Sequence, residues 1–377
     1  MNYSIFARLV TLLFVAPFAL GATYGKASSA PNAGQVESAP GVLVQLRAEP
    51  FDNFYRVPPP TEFSLRRPSV ALATITVSYL GTWDPAAQAA FQYAVDIWQT
   101  QITSAVPIAV EANWTALAPG VLGSAGPKGF WRNFTGAPQT DTWYPEALAN
   151  HLSGSDLNPA NAEIAANFSS SFSNWYFGTG GNPPAGKYDF VTVVMHELAH
   201  GLGFVGSMSV GGSCGTGQGC WGSGTPFPFV YDRSAENGSN QSLINTVLFP
   251  NPSTALATQL TSNDVYFDGP SARAANANSA VKLYAPAAWN QGSSYAHLDE
   301  VFNNTPNALM TFSLSSAEAV HSPGPVTRGL FEDMGWSVVT VPVLSAWGLS
   351  GLAALLFAFG VLVVMKRRKT SLATPEA

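Results

Sequence analysis

Two histidines four residues apart inside an apolar run constrain this chain more than any other feature. The run is Val191 to Ser207, VTVVMHELAHGLGFVGS, and it holds His196, Glu197 and His200. On a helix, residues i and i+4 stand one above the other on the same face. Apolar Phe190, Val193, Val194, Leu198 and Leu202 mark the rest of that helix as core. The spacing predicts a buried helix that presents two imidazoles together, with a carboxylate beside them. Such a pair can hold one metal ion, and Glu197 can then reach a water on that ion without ligating it. Neutral imidazoles suit Zn²⁺, and three protein ligands leave a fourth position for water. Gly201 and Gly203 let the helix stop and the chain turn away.

A third ligand must come from elsewhere in the chain, which has five histidines. His151, in ALANHLSG, reads as a surface residue. His297 lies in GSSYAHLDEVFNNTPNALMTF, with Met310 downstream of it. His321, in AVHSPGPV, is a competitor that could equally end a helix. Asp232, Asp268, Asp299 and Glu300 could instead complete a site of two histidines and a carboxylate.

The segment HELAHGLGF resembles the metzincin clan of zinc peptidases, whose motif is H-E-x-x-H-x-x-G-x-x-H. His196, Glu197, His200 and Gly203 match, but Gly206 stands where the clan has its third histidine. The order of His297 and Met310 resembles the leishmanolysin-like branch, where an insertion precedes the third histidine and a Met-turn follows it. The resemblance implies His297 as third ligand, Met310 as the apolar floor below the metal, and an insertion over residues 204–295. It also implies an α+β fold: a twisted mixed sheet with helices in an N-terminal lobe, the active-site helix, and an irregular C-terminal lobe. The implied activity is hydrolysis of peptide bonds in protein or peptide substrates, with one catalytic Zn²⁺ and Glu197 as general base. A substrate strand would lie along the sheet edge near Ala162 to Phe168. Some members carry a Tyr two residues after the Met; here that residue is Phe312. Two other classes compete with the peptidase: a surface binding or adhesion protein without catalysis, and an envelope protein whose metal only stabilises the fold.

Both ends of the chain point to export. Arg8 precedes the apolar stretch Leu9 to Leu20, and small residues near Gly21 and Ala22 offer a cleavage site, so residues 1–22 read as a signal peptide rather than an anchor. Pro342 to Met365 is uncharged and long enough to span a bilayer, and Lys366 to Lys369, KRRK, follows at once. That order leaves the body outside and residues 370–377 as a cytoplasmic tail. Residues 341–369 also resemble the bacterial IPTL-type sorting tags through Val341, Pro342, Leu344, Ser345, Trp347 and Gly348, while Val343 and Ala346 depart from them. The resemblance implies a Gram-negative envelope protein, partnered with a sorting machinery and carrying a removable tail. In that oxidising setting Cys214 and Cys220 are expected to form a small loop disulfide. A net charge of -6 excludes a basic nucleic-acid footprint.

Between the ends, residues 23–68 are rich in Pro, Ala and Ser and read as a linker or short pro-segment, which leaves residues 69–340 as the catalytic domain. Alternation predicts strands over Ser69 to Gly81 and Val106 to Trp114, and another from about Glu163 to Phe168. Asp84 and Pro85 open a helix whose stripe is Ala90, Phe91, Ala94, Val95, Ile97 and Trp98. Gly329 to Trp336, GLFEDMGW, reads as a closing helix.

Overall fold

The computed structural model describes residues 36–65 and 72–339. The expected signal peptide, sorting tag and cytoplasmic tail lie outside the described residues. Among the described residues, no helix is long and apolar enough to cross a membrane.

The sheet grows from the strand–helix–strand unit that alternation predicts. Among the strands that build and flank the site, β1 is Glu37–Pro40, β2 Val44–Asp52, β3 Ile75–Leu80 and β4 Ile108–Thr115. β3 and β4 run parallel, with Ile75 opposite Ile108 and Val77 opposite Val110. Helix α1, Pro85–Trp98, joins them. Its start is fixed by Asp84, which accepts a 2.8 Å bond from the Ala86 N–H, and by Pro85 at the first helical position. Its stripe of Ala90, Phe91, Ala94, Val95 and Trp98 is fully buried.

Next come β5, Val121–Pro127, β6, Gly129–Arg132, helix α2, Glu146–Ser153, and β7, Ile164–Ser169. β7 runs parallel to β4 and antiparallel to β5. With β8, Ser313–Ser316, the mixed six-stranded sheet has the order β8–β2–β5–β7–β4–β3. Ile108, Val110 and Ala112 alternate inward beside Ile164, Ala166 and Phe168 and share one core with α1 and with α3, Phe190–Leu202. The described residues thus form an α+β structure. Beyond α3 the chain is irregular, with short paired strands such as Ala235–Glu236, Tyr266–Phe267 and Val281–Lys282. Cys214 and Cys220 are disulfide-bonded. Helix α4, Gly324–Met334, closes the domain where GLFEDMGW predicts a helix.

Two expectations need correction. Residues 37–52, expected as unstructured linker or short pro-segment, are paired strand: β1 pairs antiparallel with β6, and β2 is an interior strand of the main sheet. The signal is faint because only Val44 and Leu46 of β2 are buried, too short an alternation to register between Pro-rich flanks. The strand at 164–169 is not a sheet edge either, since β4 and β5 flank it. The overlooked strand is β5, VLGSAGP, buried at every residue and so lacking any alternation.

Candidate metal centre

Helix α3 is buried at all of its residues, so polar groups at both its ends need partners. At its start Asp189 accepts from the N–H and the hydroxyl of Thr192, at 2.8 and 2.7 Å. His321 Nε2 donates to the same oxygen at 2.8 Å. In the middle, the indole of Trp98 donates to the Met195 carbonyl at 3.0 Å. At its end, the indole of Trp336 donates to the Leu202 carbonyl at 2.9 Å. Gly203, at φ 125°, ends the helix in a conformation that L side chains avoid. Removing the Asp189 side chain takes away an N-cap and leaves the buried His321 without its acceptor. Asp189→Ala is therefore expected to lower unfolding free energy by about 2–4 kcal/mol, read by urea denaturation. A loss below about 0.5 kcal/mol would show that this capping triad holds nothing.

Three imidazoles meet above α3. The Nε2 atoms of His196 and His200 are 2.9 Å apart, and each lies 3.2 Å from Nε2 of His297. Every Nδ1 is turned to a backbone carbonyl: Leu309 O at 2.6 Å for His196, Phe204 O at 2.7 Å for His200, and Ser293 O at 2.7 Å for His297. A carbonyl only accepts, so each Nδ1 carries the proton and each Nε2 presents a lone pair. Burial pushes the His196 imidazolium down to about 4. It holds His200 and His297 well below their ordinary value, helped by the neighbouring rings. Three neutral acceptors therefore face one another with no donor between them, an arrangement that a shared cation resolves. Tetrahedral zinc with bonds of about 2.0–2.1 Å would set its nitrogens about 3.4 Å apart, close to the observed triangle. The donor set fits one metal ion, and these three residues are the ones that would hold it. Comparison with protein-family models, with curated proteins and with solved structures finds no match for this chain.

Glu197 lies beside the first histidine and is fully buried, with no hydrogen-bond partner on either oxygen. Its carboxyl fills the space of a missing side chain on β5: a Cβ on Gly123 would come within 2.8 Å of Oε1. Burial raises its pKa well above the carboxylate range. The N–H groups of Leu46 and Ala125 face it and offset part of that rise without reaching hydrogen-bond geometry. A cation at the three nitrogens would draw the value back down.

The remaining candidates divide clearly. Met310 is fully buried in the short turn Ala308–Met310. That turn supplies the Leu309 carbonyl to His196, and the Met310 carbonyl accepts from the Leu298 N–H at 2.8 Å. It thus ties α3 to the His297 segment. His321 stands outside the cluster as a partner of Asp189. Asp232 is no ligand: it accepts from the Ser207 N–H at 2.9 Å, the Ser207 hydroxyl, the Phe229 N–H at 2.7 Å and the Tyr295 hydroxyl at 2.9 Å. Asp268 pairs with Arg273, and Asp299 pairs with Lys282. His151 is half-buried on Glu146–Ser153 and stacks on Trp336. Sequence reasoning missed the Asp232–Tyr295 clamp, because buried carboxylates and tyrosines carry no local motif.

Proposed function

We propose that this chain is an exported zinc-dependent endopeptidase of the metzincin type, with the leishmanolysin-like placement of its third histidine. The convergence of three buried Nε2 lone pairs beside an unpartnered carboxylate carries the reading. A purely structural zinc would more often be closed by four protein ligands, whereas three leave room for water. When bound, the ion would acidify a water molecule to a pKa of about 7 and polarise a substrate carbonyl. Glu197 would accept the proton of that water and hand it to the leaving amine. The backbone carbonyls of Leu309, Phe204 and Ser293 keep the imidazoles in the ligating tautomer throughout. Protein or peptide substrates, membrane attachment through the apolar segment Pro342 to Met365 and sorting to the envelope belong to the same proposal.

Zinc content separates the ligand sets. Purified wild-type protein is expected to carry about one zinc per chain, His297→Ala to lose most of it, and His321→Ala to keep it. Unchanged zinc in His297→Ala would remove His297 from the ligand set.

A further inference from the structure

The four residues of the proposed centre, His196, Glu197, His200 and His297, are all 0% exposed. A peptidase has to admit a chain, so whatever covers these residues has a function to explain. The cover is β2. Its register divides at Arg47. Residues Val44 to Arg47 pair antiparallel with β5, placing Val44 opposite Ala125 and Leu46 opposite Gly123. From Arg47 onward it pairs parallel with β8, placing Arg47 opposite Ser313 and Ala48 opposite Leu314. On the side away from β5, the Gln45 N–H donates to Gly292 O at 3.1 Å and the Arg47 N–H to Phe312 O at 3.3 Å. Gly292 adjoins Ser293, which orients His297, and Phe312 follows the turn that orients His196. β2 is therefore laid across the gap between β5 and the two segments that hold the ligating rings. Leu46 is the strand partner of Gly123, the position whose missing side chain makes room for the Glu197 carboxyl.

An extended peptide entering this gap would make the backbone bonds that β2 now makes. β2 also fills an apolar pocket beside the site, where Val44 packs with Phe130, Trp143, Val205, Phe229 and Ala296. Only its first half is inserted, and Phe51 is already 58% exposed. The β5–β7–β4–β3 ladder does not depend on it. Upstream, β1 is clasped to β6 by Glu37, which accepts from Arg132 Nε at 3.2 Å, and Arg132 also donates to Asp141 at 2.7 Å. This clasp lies outside the histidine cluster.

We propose that β2 occupies the substrate groove as an intramolecular inhibitor, and that its departure from between β5 and β8 opens the site to extended peptides with aliphatic side chains two residues apart. The proposal rests on the peptidase reading.

The test uses the full chain as wild type, Val44→Asp and Glu37→Gln. Val44→Asp sets a charge in the apolar pocket, and Glu37→Gln loosens the clasp without touching the core. Amide hydrogen exchange needs no metal and reads displacement directly. Amides of Val44 to Ala48 and of β5 are expected to exchange together while β4 and β7 stay protected, and both variants should speed that opening about tenfold. Zinc extraction by EDTA and hydrolysis of casein should rise in step. Exchange of β2 only together with β4 and β7, in all three proteins, would make it a permanent strand and overturn the proposal. Faster exchange and faster zinc extraction with casein left intact would uphold displacement of β2 and overturn the peptidase reading instead. If Val44→Asp fails to fold, Glu37→Gln decides the matter alone.

Discussion

Glu197→Gln is expected to lower casein hydrolysis by about 10²–10⁴-fold, the usual contribution of a positioned general base. Zinc should stay at the wild-type level, because each ligating ring is oriented by a backbone carbonyl and not by Glu197. Folding should not suffer. Both carboxyl oxygens are buried without partners, so a neutral amide of the same shape is no harder to bury than the acid. The comparison belongs in both the wild-type and the Glu37→Gln backgrounds, so that any limit on access set by β2 is separated from loss of the base. Loss of hydrolysis with retained zinc would place Glu197 on the proton path. Retained hydrolysis would take the base role from it. A protein that binds zinc, hydrolyses nothing in any background and keeps its surface interactions would be the adhesion or binding protein that the sequence also allows.

The parts of this molecule that were legible in its sequence are those set by local periodicity. The α1 stripe, the Asp84–Pro85 start, the alternation in β3 and β4 and the i, i+4 histidines each follow from one element's own geometry. His297 was legible only through resemblance, because ninety-odd residues separate it from α3 and the turn that aims it is built from Ser293 and Leu298 backbone. β5 and β2 were not legible. A strand buried on both faces loses its alternation, and a strand that is inserted over two residues never shows enough of it. The Asp232 clamp escaped for a different reason. Its partners Ser207, Phe229 and Tyr295 converge only after the chain has folded, and no spacing rule links them.

Gly206 departs from the metzincin pattern that the α3 segment resembles, yet placing a histidine there is expected to destroy the site. A Cβ at Gly206 would stand 2.0 Å from the Tyr295 ring and 2.9 Å from Asp232 Oδ1. The chain between α3 and His297 brings Tyr295 back against Gly206, and His297 follows two residues later. Any side chain at 206 must push the ring out. Tyr295 would then release Asp232, a buried carboxylate that relies on its hydroxyl, and the strain would pass along two residues to His297. Overpacking of about 1–3 kcal/mol and a broken buried hydrogen bond of about 1–3 kcal/mol give an expected loss of roughly 2–6 kcal/mol for Gly206→Ala. Gly206→His should lose more, and both should bind zinc more weakly than wild type. Urea denaturation and zinc titration measure the two effects separately. The decisive protein is the double variant Gly206→His with His297→Ala. If it binds zinc as tightly as wild type, position 206 can reach the metal and Tyr295 is a movable neighbour. If it binds none, position 206 cannot supply a ligand to this site, and a glycine is needed there for the space that the Tyr295 ring takes.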